Sequence, residues 1–216
     1  MQEALKLKNF YSMLSLCALL ILLLMCIITG VSDMIDRYAH QLALHLLPNP
    51  FFKQGLSILS DILAPVHCLI LVLLILTGLY FYRRKTFWLY GFWCFSVFLI
   101  GTVMKYAIAR PRPSVAFDGY SFPSMHVLSV SILVSLIILI THHKGVKVIG
   151  IVLVCAMILS RVYVNAHYLT DTVGSLIVIA IMLISLAMTE TEEYRHEYNQ
   201  EKQNNNDIID IINRHK

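Results

Sequence analysis

Three short stretches, Lys105 to Pro113, Pro123 to His126 and Arg161 to Asp171, gather cationic and imidazole side chains at the ends of apolar segments. A charge beside hydrocarbon is costly unless it pairs, faces water or takes part in chemistry, so Lys105, Arg112, His126, Arg161, His167 and Asp171 read together as a site. Cations set beside imidazoles suit an oxyanion that must be gripped while a proton or a bond is moved, and the anion they suit best is phosphate.

The third stretch carries the sharpest signal. His167 and Asp171 are four residues apart, so on a helix or a turn entering one they face the same way. The carboxylate can then accept one imidazole N–H, fix the tautomer and leave the other nitrogen basic and nucleophilic. A purely structural His–Asp contact is the plainer reading of the pair alone, and Arg161, six residues earlier, shifts the balance toward a site. In the second stretch Pro123 and Ser124 are good helix starters, which aims free backbone N–H groups of a helix end at an anion and puts His126 in the first turn. A histidine at a helix start is more often structural, so this stretch gains weight only beside the others. In the first stretch Pro111 and Pro113 break a helix, and Lys105 supplies a compact charge while Arg112 can grip two phosphate oxygens at once. For Arg110 the plainer reading is an anchor among lipid head groups.

The elements that must hold these residues are membrane helices. A chain of 216 residues with 58% hydrophobic content and a mean hydropathy of +0.71 is too apolar for an ordinary soluble domain. Its net charge of +4 and pI near 8.8 come from short clusters between apolar runs, which marks membrane flanks rather than a nucleic-acid surface. Cys17, Cys26, Cys68, Cys94 and Cys155 all lie in apolar runs without metal-type spacing and read as buried free thiols. Apolar stretches at roughly 10–31, 57–82, 87–109, 124–141, 146–163 and 170–188 predict a six-helix, all-α membrane bundle. The first is too long for a secretory signal and lacks a convincing cleavage site, so it reads as retained. Residues 1–189 form one domain, and a polar tail follows over 190–216.

Loop charges orient the bundle. Lys6, Lys8, Arg83, Arg84, Lys85, Lys144, Lys147 and the tail fall on one side by helix counting, which is then cytoplasmic, with both termini there. The three reactive stretches share the opposite, extracytoplasmic face. Between the first two spans, apolar residues Met34, Ile35, Tyr38, Leu42, Leu46 and Leu47 recur at helical spacing among Asp33, Asp36, Arg37, His40 and Gln41. Two readings stand side by side: an amphipathic helix on the outer leaflet, or a short packing element between spans.

Lys105, six intervening residues and Arg112-Pro113, then Pro123-Ser124-Met125-His126, then Ser160-Arg161, five intervening residues, His167, three more and Asp171, closely resemble the three-part signature of the type 2 phosphatidic acid phosphatase superfamily. The resemblance covers about residues 100 to 175, and only the family's membrane branch fits this hydropathy. One departure stands out. The family usually has glycine where Met125 sits, and it uses the backbone N–H there to hold phosphate.

The resemblance implies a mechanism. His167 would attack phosphorus to form a phosphohistidine, Asp171 would orient it, and His126 would protonate the departing oxygen. Lys105, Arg112, Ser124, the Met125 N–H and Arg161 would surround the phosphate oxygens, with no metal and no cofactor. The expected substrate is a lipid phosphate or diphosphate in the outer leaflet, undecaprenyl diphosphate or phosphatidylglycerophosphate ahead of lipid A or phosphatidic acid, and the expected location is a bacterial inner membrane. Two other readings use the same residues: a lipid phosphotransferase that passes the phosphohistidine to another acceptor, and a non-enzymatic lipid-phosphate binder, which leaves His126 and the His167–Asp171 pair without a purpose.

Overall fold

The computed structural model describes residues 2–190. These residues are all-α: α1 (Gln2–Ile28), α2 (Asp33–Leu46), α3 (Pro50–Ile62), α4 (Pro65–Tyr82), α5 (Arg84–Ile108), α6 (Met125–Thr141), α7 (Lys144–Tyr163) and α8 (Leu169–Glu190). The tail expected beyond Glu190 lies outside the described residues. Five helices, α1, α4, α5, α7 and α8, are long and apolar enough to cross a membrane, and α6 is apolar but shorter. The protein is a multi-pass membrane protein.

The stretch expected to run from 57 to 82 as one span is two helices. Pro65 has no N–H to give and forces Ala64 into an extended conformation (ψ 150°), so α3 stops at Ile62 and α4 begins afresh at Pro65. The run of apolar residues across this break hid it. The cysteines are free as expected, yet Cys155 is exposed and Cys17 and Cys26 are only partly covered, since apolar helices in this chain turn part of their surface outward.

The core lies between α4, α5, α6, α7 and α8, with Val72, Val97, Leu128, Ile132, Leu136, Met157 and Val178 enclosed. α6 sits at its centre and is buried on all sides from Val127 to Leu133, which is why it has no polar face. Lipid offers no hydrophobic penalty for separating helices, so close packing and hydrogen bonds must hold them. Gly101 of α5 lies so near Leu128 of α6 that a Cβ would overlap it, and Gly174 of α8 stands in the same relation to the ring of Phe122. Trp93 Nε1 of α5 donates to the Met182 carbonyl of α8 at 2.9 Å.

The short helices α2 and α3 clamp one end of α7. Tyr163 Oη donates to the Leu47 carbonyl at 2.9 Å, Ser160 Oγ donates to the Leu56 carbonyl at 2.7 Å, and His40 Nδ1 lies 2.9 Å from the Val162 carbonyl oxygen. The helix expected over 33–47 is present as α2. Its polar side is not simply free, because Asp36 is enclosed.

Candidate active site

Each reactive stretch owes its position to a local rule. α5 ends at Ile108 because Ala109 adopts a left-handed conformation (φ 48°) and prolines follow at 111 and 113. The loop to α6 closes on its own base: Ser121 N donates to the Arg110 carbonyl at 2.8 Å and Lys105 Nζ to the Tyr120 carbonyl at 2.8 Å. That closure returns the chain to Ser124, the N-cap of α6. The side chain of Ser124 does not cap the helix, and the first intrahelical bond is Leu128 N to the Ser124 carbonyl. The N–H groups of Met125 and His126 therefore stand at an open helix end, where an anion is favoured. Met125 turns its thioether toward Gly101 of α5, so the side chain that replaces the family's glycine is taken up between helices.

The spacing from Arg161 to His167 is a helix ending and reversing. α7 closes through Asn165 in the left-handed region (φ 56°), and the N–H groups of Ala166 and His167 both donate to the Arg161 carbonyl, at 3.1 and 3.2 Å. His167 is thereby folded back over Arg161. α8 then starts at Leu169 with Asp171 in its first turn, and Asp171 Oδ2 accepts from Tyr168 N at 2.9 Å, the reach-back half of a capping box. Ser175 Oγ, one turn on, lies 3.0 Å from the Asp171 carbonyl and 3.1 Å from the Ser124 carbonyl, tying the second stretch to the third.

All the expected residues converge. Arg112 Nη1 lies 3.3 Å from His167 Nε2 and donates to the Ala166 carbonyl at 3.0 Å. The guanidinium carbons of Arg112 and Arg161 lie 6.0 and 5.7 Å from the ring centre of Phe117, so one aromatic ring serves both. His126 lies close enough to Arg161, His167, Arg112 and Lys105 to feel their charges, and Lys105 feels Arg112 and Asp171. Six buried side-chain polar atoms among the described residues lack a hydrogen-bond partner, and four of them are Arg112 Nε, Ser124 Oγ, Arg161 Nε and His167 Nδ1. Orphaned buried donors in one place are the mark of a ligand site, because each would otherwise forgo a bond it made in water.

His167 is 2% exposed. Burial pushes its imidazole down from the usual 6.5 to about 4; Asp171 opposes the shift while Arg112 and Arg161 add to it. The ring is neutral near pH 7. Its Nδ1 stands 3.6 Å from Asp171 Oδ2, just beyond hydrogen-bond length, while Nε2 faces a guanidinium donor. We therefore assign the proton to Nδ1, which leaves Nε2 unprotonated with its lone pair toward Arg112 Nη1.

Four participants were not foreseen. Arg110, read as a head-group anchor, is instead 7% exposed and donates to Asp171 Oδ1 at 2.8 Å and to Asp36 Oδ2 at 2.9 Å, with its guanidinium 3.9 Å from the Tyr168 ring centre. Burial alone would lower its affinity for a proton, but the two carboxylates outweigh that and raise it above the ordinary arginine value. Asp36 also receives Thr170, and Ser60 of α3 bonds Arg161 Nη1. The sequence held one hint: two arginines outside the helices need carboxylates, and α2 has them. Among the described residues no group of three His, Cys, Asp or Glu side chains is arranged to hold a metal.

Comparison with known proteins gives the same picture. Residues 86–194 match the model of the PAP2 superfamily, a segment that contains every expected site residue from Lys105 to Asp171. The chain is similar to phosphatidylglycerophosphatase B of Bacillus subtilis (strain 168), at 27% identity with 76% of this chain and 87% of that protein covered. Among solved structures it resembles the transmembrane PAP2 type phosphatidylglycerolphosphate phosphatase from Bacillus subtilis, with a TM-score of 0.67 and 24% identity over 87% of this chain and 97% of the other. It also resembles Aquifex aeolicus LpxE, with a TM-score of 0.53 and 17% identity over 71% and 93% of the two chains. At these identities the two structures speak to the shared fold.

Proposed function

Because this chain belongs to the PAP2 superfamily, we propose that it is an integral membrane lipid phosphatase working through a phosphohistidine on His167. The observation that carries the reading is the set of orphaned buried polar atoms on Arg112, Ser124 and Arg161 beside an imidazole whose Nε2 faces only the Arg112 guanidinium, 3.3 Å away. A phosphoryl group supplies the oxygens those donors lack.

In the first step His167 Nε2 attacks phosphorus as the bond to the leaving oxygen breaks, and His126 gives that oxygen its proton. Asp171 offsets the positive charge that appears on the His167 ring. In the second step His126 takes a proton from water, the water oxygen bonds phosphorus, and the P–N bond breaks to free phosphate. Lys105, Arg112, Arg161, Ser124 and the N–H groups at the start of α6 hold the remaining oxygens, and such positioning and charge stabilisation supply most of phosphoryl-transfer catalysis. The cations fill the part that magnesium plays elsewhere, so the reaction is metal-independent.

We place six spans, α1, α4, α5, α6, α7 and α8, in a bacterial inner membrane with both termini in the cytoplasm. The site then opens outward, beside α2 lying along the outer leaflet, where a lipid can present its phosphate without leaving the membrane. The favoured substrate is phosphatidylglycerophosphate, the class named for the Bacillus subtilis relative.

Phosphate release by the purified chain from phosphatidylglycerophosphate, undecaprenyl diphosphate, phosphatidic acid and lipid A, each with a chelator present, tests this reading. Turnover and a trapped phosphoenzyme are expected, both abolished in His167→Ala. A variant that kept more than about a tenth of the activity would defeat the nucleophile assignment, since losing a covalent nucleophile costs several powers of ten.

A further inference from the structure

Asp36 lies in α2, outside the segment that matches the family model, yet its side chain is wholly enclosed. It accepts three hydrogen bonds: from Thr170 N at 2.9 Å, from Thr170 Oγ1 at 2.7 Å and from Arg110 Nη2 at 2.9 Å. Thr170 N belongs to the first turn of α8, where backbone donors have no partner within their own helix. A carboxylate from another helix therefore caps α8 one residue ahead of Asp171. Arg110 completes the link. Its Nη1 reaches both Thr170 Oγ1 and Asp171 Oδ1 at 2.8 Å.

The charges of this cluster matter as much as its geometry. Arg110 is held between the enclosed Asp36 and Asp171, with the half-exposed Asp33 farther off at 3.8 Å, so carboxylate charge exceeds that of the guanidinium, and the side of the cluster facing the reaction is Asp171 Oδ2, 3.6 Å from His167 Nδ1. Without Asp36, the enclosed part of the cluster would be the neutral pair of Arg110 and Asp171, with only the water-screened Asp33 at 3.8 Å beside it, and the guanidinium would draw the Asp171 charge away from the imidazole. Positive charge grows on that ring as Nε2 bonds phosphorus. The loss would be felt in the chemical step more than in substrate binding.

We propose that Asp36 is a positioning residue of the phosphoryl-transfer site: acting through Arg110 and Thr170, it fixes the start of α8 and keeps the charge of Asp171 directed at His167. The inference rests on the reading of His167 as nucleophile and Asp171 as its partner. It makes α2 part of the catalytic apparatus and gives the buried ion pair of Arg110 a purpose beyond stability.

The test is rapid-quench measurement of phosphoenzyme formation by the full-length purified protein on labelled phosphatidylglycerophosphate, together with the pH profile of kcat/KM. In Asp36→Asn a donor replaces an acceptor against the guanidinium, and phosphoenzyme formation should slow by about ten- to a hundredfold with KM within about threefold. Asp36→Glu should recover part of the rate. Thr170→Val removes the hydroxyl that bridges Arg110 and Asp36 but not their ion pair or the residue-170 N–H, and should slow the same step severalfold. The charged groups facing His167 are Asp171, Arg112 and Arg161, with His126 and Lys105 beyond; weakening the first should move the acid limb of Asp36→Asn to lower pH, which a merely structural role would not do. Wild-type phosphoenzyme with unchanged rates and limbs in Asp36→Asn and Thr170→Val would overturn this inference alone. If Asp36→Asn does not fold, a wild-type rate in Thr170→Val overturns it. No phosphoenzyme in the wild type would overturn the nucleophile reading and this inference with it.

Discussion

Arg112 Nη1 lies 3.3 Å from His167 Nε2, so the nitrogen assigned to attack phosphorus shares its front with a cation that makes no ion pair with a carboxylate among the described residues. A phosphate oxygen entering between them would meet the guanidinium first. Arg112→Lys keeps a positive charge but loses the planar fork and the bond to the Ala166 carbonyl. Its kcat/KM on lipid phosphate should fall about a hundredfold or more, the scale of losing one donor to developing charge. Steady-state kinetics on purified variants measures it, and a lysine variant near wild type would place the phosphate elsewhere.

The pH profile follows from the same ring. His167 is held at about 4 against an ordinary 6.5, so its neutral form persists well below the usual imidazole range. The acid limb of kcat/KM, which reports the free enzyme, should lie near pH 4. Stability moves in step. An unfolded chain takes up a proton on this histidine as pH falls below 6.5 while the folded one resists until about 4, so this group subtracts stability progressively between those two values and nothing above them. Activity after incubation at pH 5, returned to neutral, separates the two effects. An acid limb near 6.5 would contradict a buried nucleophile.

What could be read from the chain alone was local. Arg161 and His167 are brought together by a helix end and one left-handed residue, so their spacing is itself a structural statement. The same holds for Ser124 and His126 at the start of α6. The supports were not legible, because they cross the fold: Asp36 meets Arg110 across 74 residues, and Ser60 meets Arg161 across 101. No spacing rule reaches that far. The break at Pro65 was missed for another reason, since apolar residues on both sides continue the hydropathy that a spanning helix would show.

The role of His126 has its own signature. A general acid matters most when the leaving oxygen is a poor one, so His126→Ala should slow an alkyl lipid phosphate far more than an aryl phosphate whose leaving group departs unaided. A difference of at least about tenfold between the two substrates is expected, read from kcat/KM on each. Equal slowing would remove His126 from proton transfer and leave it a role in binding.

Gly174 offers a test of how tightly the second and third stretches are held together. It lies one turn after Asp171, against the ring of Phe122, and Phe122 is fully enclosed beside Pro123 and Ser124. A methyl group there has no room unless the ring moves, and the ring has nowhere to go. Overpacking of this kind costs about 1–3 kcal/mol. Gly174→Ala should therefore lower the thermal midpoint in detergent and also reduce kcat, since shifting Phe122 drags Ser124 and the open end of α6 away from His167, where a displacement of about an ångström is felt strongly in rate. Gly78, inside α4 with open space where a Cβ would go, is the control: its alanine variant should leave kcat unchanged and should not lower the thermal midpoint, since alanine is the better helix former. Loss of thermal stability in Gly174→Ala with kcat intact would show that the Phe122 contact holds the bundle together without setting the geometry of the phosphate site.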